Sequence, residues 1–268
     1  MLLILILWCG LFTLTVLRIL DEVASVGSNH PNINTAKHLA CIIRENPEVV
    51  MPNRRHIVAG ALVEKDLSGL PNVISAFHLD TEVKRESFLA HYVRVFLDCF
   101  IPPMLKGLAF EAHGQNVLLR LTMQGELEGF TVRDFGGVMY HPETVLGETG
   151  VSVSLLEGSS IEANSMDDVY RVFFHAGIQS HLHRLIRALG MHHNRRGWEM
   201  VRENLQRLLE GHPLLDQWLK PLVPSKSLLC MKLGGLYRDV SCTCLFLCLF
   251  FCFSPFEDLG FFFFFFFF

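Results

Sequence analysis

Apolar and polar positions along the chain separate two unusual ends from an ordinary middle. In the middle, Asn34-Thr35 offers an N-cap, and Leu39, Ile42 and Ile43 recur in AKHLACIIREN at helical spacing, so a short helix is predicted that stops before Pro47. His56 to Val63, HIVAGALV, is a compact apolar run that fits a buried strand or a buried helical segment. From Thr81 to Phe100 the residues Phe88, Tyr92, Val95, Phe96 and Cys99 share one face, with Lys84, Arg85, Glu86 and Arg94 elsewhere. This predicts an amphipathic helix stopped by Pro102-Pro103.

The rhythm then changes. Short runs at Leu108 to Glu111, Val117 to Leu121 and Phe130 to Arg133, with a turn at Gln124-Gly125, read as two or three antiparallel strands. Glu143 to Asn164 reads as a polar loop. Ser165 can cap a helix whose acidic first turn, Asp167-Asp168, and basic end, Arg184 and Arg187, both suit the helix dipole, with Gly190 as terminator. Two more helices are predicted, Trp198 to Glu210 ending at Gly211, and Leu214 to Leu219 ending before Pro221. The fold class is α+β, a small antiparallel sheet or hairpin packed with helices, with hydrophobic ends outside the domain.

Composition changes the picture mainly at those ends. Thirteen of the 23 Phe and four of the eight Cys lie in residues 241–268, which inflate the 50% apolar content. Residues 1–20 carry a single charge, Arg18, and fit a signal anchor, a transmembrane helix or an artefact; they lack a basic n-region and a good cleavage pattern. The tail, SCTCLFLCLFFCFSPFEDLG followed by poly-Phe, has no period and reads as translated non-coding sequence or a hydrophobic tail. Cys242, Cys244, Cys248 and Cys252 have metal-like spacings but no polar or His companions, so no metal site is expected there. Cys41, Cys99 and Cys230 are solitary and read as buried thiols in a reducing compartment. With 23 basic against 27 acidic side chains, a polybasic nucleic-acid binder is excluded.

Candidate chemistry concentrates in Glu111, His113, Gln115, Asn116, Arg133 and Asp134, on or beside adjacent strands. Residues two apart in extended chain share a face, so Glu111 and His113 project together if the strand continues that far. Gly114 allows a sharp turn that would aim Gln115 and Asn116 at the same point. A hairpin turning near Gly125 brings Asn116 beside Asp134 across the ladder. Glu111, Asn116 and Asp134 then offer hard oxygen ligands suited to Mg²⁺ with nucleotide phosphates, and Arg133 and His113 supply cationic or proton-donating groups. The competing reading of the same residues is a surface ion pair and a turn-stabilising Asp. The histidines 175, 181, 183, 192 and 193 do not have i, i+4 zinc spacing and read as a solvated basic face. Gly234-Gly235 is too short for a dinucleotide loop, and Arg195-Arg196 either touch an anionic substrate or nothing.

The strings FEAHGQNVLL and TVRDFGG, with LACIIREN, IVAGALVE and PLVPSKSLLCMKLGGLYRDV, resemble the aerobactin-synthetase (IucA/IucC) family of NRPS-independent siderophore synthetases over roughly residues 35 to 240. The resemblance implies a palm-like C-terminal domain at 81–240, a remnant of the N-terminal region at 21–80, a hydrophobic segment at 1–20 and a Cys/Phe-rich tail at 241–268. It implies an acid-amine ligase that converts ATP to AMP and pyrophosphate, adenylates a citrate-like carboxylate and passes the acyl group to an amine or hydroxyl. Glu111, Asn116 and Asp134 would serve the Mg-ATP site, His113 the carboxylate substrate, Gln115 and Arg133 further site roles, and Lys226 a basic substrate position. The implied setting is cytoplasmic, with membrane association only if residues 1–20 are genuine, no nucleic acid, and a homodimer as a candidate assembly. Family members are about twice this length, and their H-P-x-H-x-x-x-K motif has no match, since His30-Pro31 is followed by Asn32-Ile33. The chain therefore reads as the C-terminal part of such an enzyme. A kinase-like phosphotransferase is the alternative, from H-G-x-N-V-L-L and D-F-G, although Gln115 stands where its base Asp belongs. A third reading is an inactive membrane-tethered remnant.

Overall fold

The computed structural model describes residues 17–36, 38–153, 161–220, 223, 225–226 and 241–242. The first 16 residues, Cys230, Gly234-Gly235, Cys244, Cys248, Cys252 and the poly-Phe run lie outside the described residues.

In chain order the elements are β1 (Leu17–Ile19), β2 (Glu22–Gly27), α1 (Ile33–Ala36), β3 (Ala40–Arg44), α2 (Pro47–Val50), β4 (Arg55–Val58), α3 (Ala59–Val63), α4 (Asn72–Ala76) and α5 (Glu82–Leu105). There follow β5 (Leu108–Ala109), β6 (Val117–Leu121), β7 (Leu127–Val132), β8 (Met139–Tyr140), α6 (Pro142–Thr149), α7 (Met166–Phe173), a π-helical stretch Phe174–Leu182, α8 (His183–Ala188), α9 (Arg196–Leu208) and α10 (Pro213–Trp218). The central sheet runs β1-β7-β6-β4. The expected antiparallel hairpin is present, with Val117 opposite Val132 and Leu119 opposite Phe130. β4 adds antiparallel to β6, while β1 joins the other edge in parallel, so the sheet is mixed.

Helix α5 is the spine of the core. Thr81 caps it by accepting from the Lys84 amide. Leu89, Tyr92, Val93, Phe96, Leu97 and Phe100 are fully buried, each large side chain contributing roughly 1.5–3 kcal/mol on burial. Phe96 meets Phe130 of β7 edge-on at 5.4 Å and Phe173 of α7 at 6.2 Å. This core takes residues from Ile19 to Val223 and draws on both sides of position 80. By length and composition α5 could cross a membrane, but most of its large apolar side chains, Leu89 to Met104, are buried in this core.

Several expectations change. The helix proposed for AKHLACIIREN is instead strand β3, antiparallel to β2 from Gly27–Ala40 to Glu22–Arg44. Leu39, Ile42 and Ile43 are exposed there, so their spacing reflects no buried helical stripe, and β-branched residues favour the strand. Cys41 is exposed, not buried, whereas Cys99 is buried. Pro102-Pro103 do not stop α5, which continues to Leu105 because burial of Ile101, Pro103 and Met104 outweighs two lost backbone donors in its last turn. HIVAGALV is both things proposed, strand to Val58 and helix from Ala59. The polar loop contains α6, capped by His141 with Pro142 at its first position. Ser165 and Asp168 form the capping box that opens α7, and Gly190 follows α8 with φ 74°.

Candidate active site

The site grows from the open end of the β6–β7 hairpin. The Arg133 amide donates to the Asn116 carbonyl at 3.0 Å, which carries the ladder one step past Val117 and brings Asn116 beside the Arg133-Asp134 pair. Asp134 then takes a left-handed backbone, φ 69°, which a short carboxylate side chain tolerates better than most. Its Oδ1 accepts the Gly136 amide at 3.2 Å, a local Asx turn that orients the carboxylate.

Glu111 approaches the same turn from the other side. A Cβ built on Gly137 would lie 1.9 Å from Glu111 Oε2, and one on Gly136 would lie 3.3 Å from Asp134 Oδ1. The two carboxylates thus flank Gly136-Gly137, and only glycine at 137 leaves room for Glu111. His113 Nε2 stands 3.9 Å from Glu111 Oε2. Their proximity does not come from a continuing strand, because β5 ends at Ala109; turns between Phe110 and His113 bring them together. Asn116 is buried, with its Nδ2 donating weakly to the Glu111 carbonyl at 3.5 Å.

Gln115 and Asn116 do not aim at one point, since Gln115 is exposed and Asn116 buried. The Gln115 amide donates to His113 Nδ1 at 3.2 Å, which leaves Nε2 of a neutral ring to carry the hydrogen. The Gln115 carbonyl accepts Nε and Nη2 of Arg133 at 3.2 and 3.0 Å. Arg133 therefore clamps the loop as well as lending charge. Gly114 sits in the expected turn, but its need for glycine is closeness: its carbonyl accepts the Gly60 amide at 2.7 Å, and a Cβ would meet Gly60 Cα at 3.0 Å.

Arg44 was not singled out from sequence. At the end of β3 it pairs with Asp134 at 3.5 Å and with Glu22 at 3.3 Å, so a second guanidinium joins the site from far away in the chain. The only signal was its place in LACIIREN. Lys226 is not brought in by any described contact: Ser225–Lys226 pairs with Ser241–Cys242, and its side chain lies outside the described residues. The solvated histidine face is also corrected, because His181 is buried against Tyr92 and Phe96 on the inward side of the π-helical stretch. Among the described residues no group of three or more His, Cys, Asp or Glu side chains could hold a metal. Glu111 and Asp134 place two carboxylates beside Gly136-Gly137, and carboxylate oxygens are ligands of the type that Mg²⁺ takes together with substrate phosphates.

A family model described as "ferric iron reductase FhuF-like transporter" matches residues 86–238. "NRPS-independent siderophore synthetase rfs" of Rhizopus delemar is 39% identical over 233 residues, 84% of this chain and 37% of that protein. The chain belongs to the siderophore synthetase family. It corresponds to the C-terminal part of such a synthetase and spans little more than a third of the fungal relative. "D-ornithine--citrate ligase" of Staphylococcus aureus is 30% identical over 138 residues, 49% of this chain and 21% of that protein. Petrobactin biosynthesis protein AsbB from Bacillus anthracis shares the fold, with TM-score 0.66 at 18% identity over 87% of this chain and 42% of that one. The α+β siderophore-synthetase fold is thereby shared, and siderophore biosynthesis is the setting of the relatives.

Proposed function

We propose that this chain supplies the carboxylate-activating half-site of a synthetase that uses Mg-ATP to adenylate a citrate-type carboxylate and then condenses it with an amine or hydroxyl. The observation that carries the reading is the convergence of Glu111 and Asp134 on Gly136-Gly137, with His113, Asn116, Arg133 and Arg44 around them. Bound Mg²⁺ would neutralise phosphate charge, and Glu111, Asn116 and Asp134 are the residues to hold it.

In the proposed reaction a carboxylate oxygen of the substrate attacks the α-phosphorus, the bond to the bridging oxygen breaks and pyrophosphate leaves. The nucleophile then attacks the acyl carbon, loses its proton, and AMP departs. Two anions must meet in the first step, so His113 Nε2–H serves as a donor to the carboxylate, and the guanidinium groups of Arg44 and Arg133 offset the charge. Gln115 contributes through its backbone, by orienting His113 and accepting Arg133. Lys226 is retained in the proposal as a basic substrate contact. The free thiols Cys41 and Cys99 suit a reducing, cytoplasmic setting.

The test is citrate-dependent exchange of labelled pyrophosphate into ATP by the whole chain, alone and with a synthetase N-terminal half added. Exchange that requires citrate supports the reading. Formation of ADP and a phosphorylated product would favour the kinase-like alternative, and neither activity under both conditions would favour an inactive remnant.

A further inference from the structure

The backbone that carries Glu111 and His113 has no ladder partner, since β5 stops at Ala109 and β6 starts at Val117. Among the described residues the Ala112 and His113 amides reach only two residues back, Ala112 to Phe110 at 2.8 Å and His113 to Glu111 at 2.9 Å. Such three-residue turns hold a chain weakly. Ala112 is completely buried, so an unmet carbonyl there would carry the full cost of a desolvated acceptor.

That carbonyl is met from the core. Nδ1 of His181 lies 3.0 Å from the Ala112 oxygen, and Nε2 lies 2.6 Å from the Tyr92 hydroxyl. A carbonyl only accepts, so Nδ1 bears the hydrogen; in the neutral ring Nε2 then accepts from Tyr92. Both side chains are buried, with the His181 ring 4.4 Å from that of Phe96. His181 belongs to the π-helical stretch Phe174–Leu182, and wide turns of this type often occur at functional sites.

We propose that His181 is a positioning residue for Glu111 and His113: it fixes the Ala112 carbonyl between them, and the Tyr92 hydroxyl, donating to Nε2, anchors the ring that does so. The geometric claim stands on the hydrogen bonds alone, while its catalytic purpose rests on the reading of the site given above. His181 touches no reacting atom, so its effect passes through the loop.

The experiment uses the whole chain and three variants, His181→Leu, His181→Asn and Tyr92→Phe. Hydrogen exchange of a peptide covering residues 110–116 and long-range ¹⁵N spectra of the histidines read out the geometry without any ligand. Wild type should show His181 in a single Nδ1–H form, and Tyr92→Phe should keep that form, because the Ala112 carbonyl sets it, while loop exchange quickens as the ring loses its anchor. Exchange of the loop should quicken about tenfold in His181→Leu, the scale of one lost buried hydrogen bond, and recover in His181→Asn, whose amide nitrogen can replace Nδ1. Mg-ATP affinity in the presence of citrate should follow the same order. A folded His181→Leu chain with wild-type loop exchange overturns the proposal, as does an Nε2–H form in the wild type. Should His181→Leu fail to fold, wild-type loop exchange in a folded Tyr92→Phe chain overturns it equally. If the loop loosens as expected but wild type binds neither ligand, the positioning role stands and the functional reading fails.

Discussion

Gly137→Ala isolates the Glu111 carboxylate with one added methyl group. The new Cβ would lie 1.9 Å from Oε2, 2.6 Å from Cδ and 2.9 Å from Cβ of Glu111. Comfortable contact between such atoms begins near ~3.5 Å, so the carboxylate must retreat by about 1.5 Å. The Glu111 carboxylate, on a side chain 33% exposed, can swing toward solvent, but the contact with Glu111 Cβ must be relieved by a backbone shift, so the stability loss should be about 1–3 kcal/mol, a fall in Tm of about 2–12 °C for a chain of this size. Mg²⁺ tolerates little displacement of its ligands from ~2.0–2.1 Å, so Mg-ATP affinity should drop at least about tenfold, or ~1.4 kcal/mol. Calorimetric titration with Mg-ATP beside thermal melts checks both numbers. Gly147→Ala, with nothing within 4 Å of its Cβ, is the control for affinity. A folded Gly137→Ala chain with wild-type affinity would remove Glu111 from the site.

Further substitutions test other parts of the account. Asp134→Gly should leave stability unchanged or raised by up to about 1 kcal/mol, because the left-handed backbone costs glycine nothing, while Mg-ATP binding disappears; a denaturant melt and a titration read both. Asn116→Ala should also abolish Mg-nucleotide binding with the circular dichroism retained. Gly147→Ala, in α6 with open space at its Cβ, should stabilise by about 0.5–1 kcal/mol in the same melt. Burial lowers the pKa of His181 and of His183 to about 4. The unfolded chain then binds more protons between about pH 6.5 and 4, so stability is full above that window and falls as pH drops through it, by up to about 3 kcal/mol per residue. Urea midpoints measured across this range should decline on acidification, and His181→Asn should flatten part of the slope.

The hairpin was legible because Gly125 and the flanking apolar runs mark a turn between strands, and that placed Asn116 beside Asp134 correctly. Helices with a strong cap or terminator, Thr81, Ser165, Gly190 and Gly211, were legible for the same local reason. The β2–β3 ribbon was not, since Leu39, Ile42 and Ile43 imitate a helical stripe while lying exposed, Leu39 in the bend before β3 and Ile42-Ile43 on it. Helix α6 escaped because its cap is His141 and not a Ser, Thr, Asp or Asn. Arg44 and His181 are tertiary features: each meets its partner, Asp134 or Ala112, from far away in the chain, and no local periodicity or cap announces either contact.

Glu111, Asn116 and Asp134 are proposed to form a Mg-nucleotide site beside a carboxylate subsite. That site is tested most directly by titrating Mg-ATP into the folded chain by calorimetry, with and without citrate. The expected result is one saturable site per chain, strengthened by citrate and lost in Asp134→Gly. A folded chain that gives no binding heat under either condition, or binds equally well after Asp134→Gly, would contradict it.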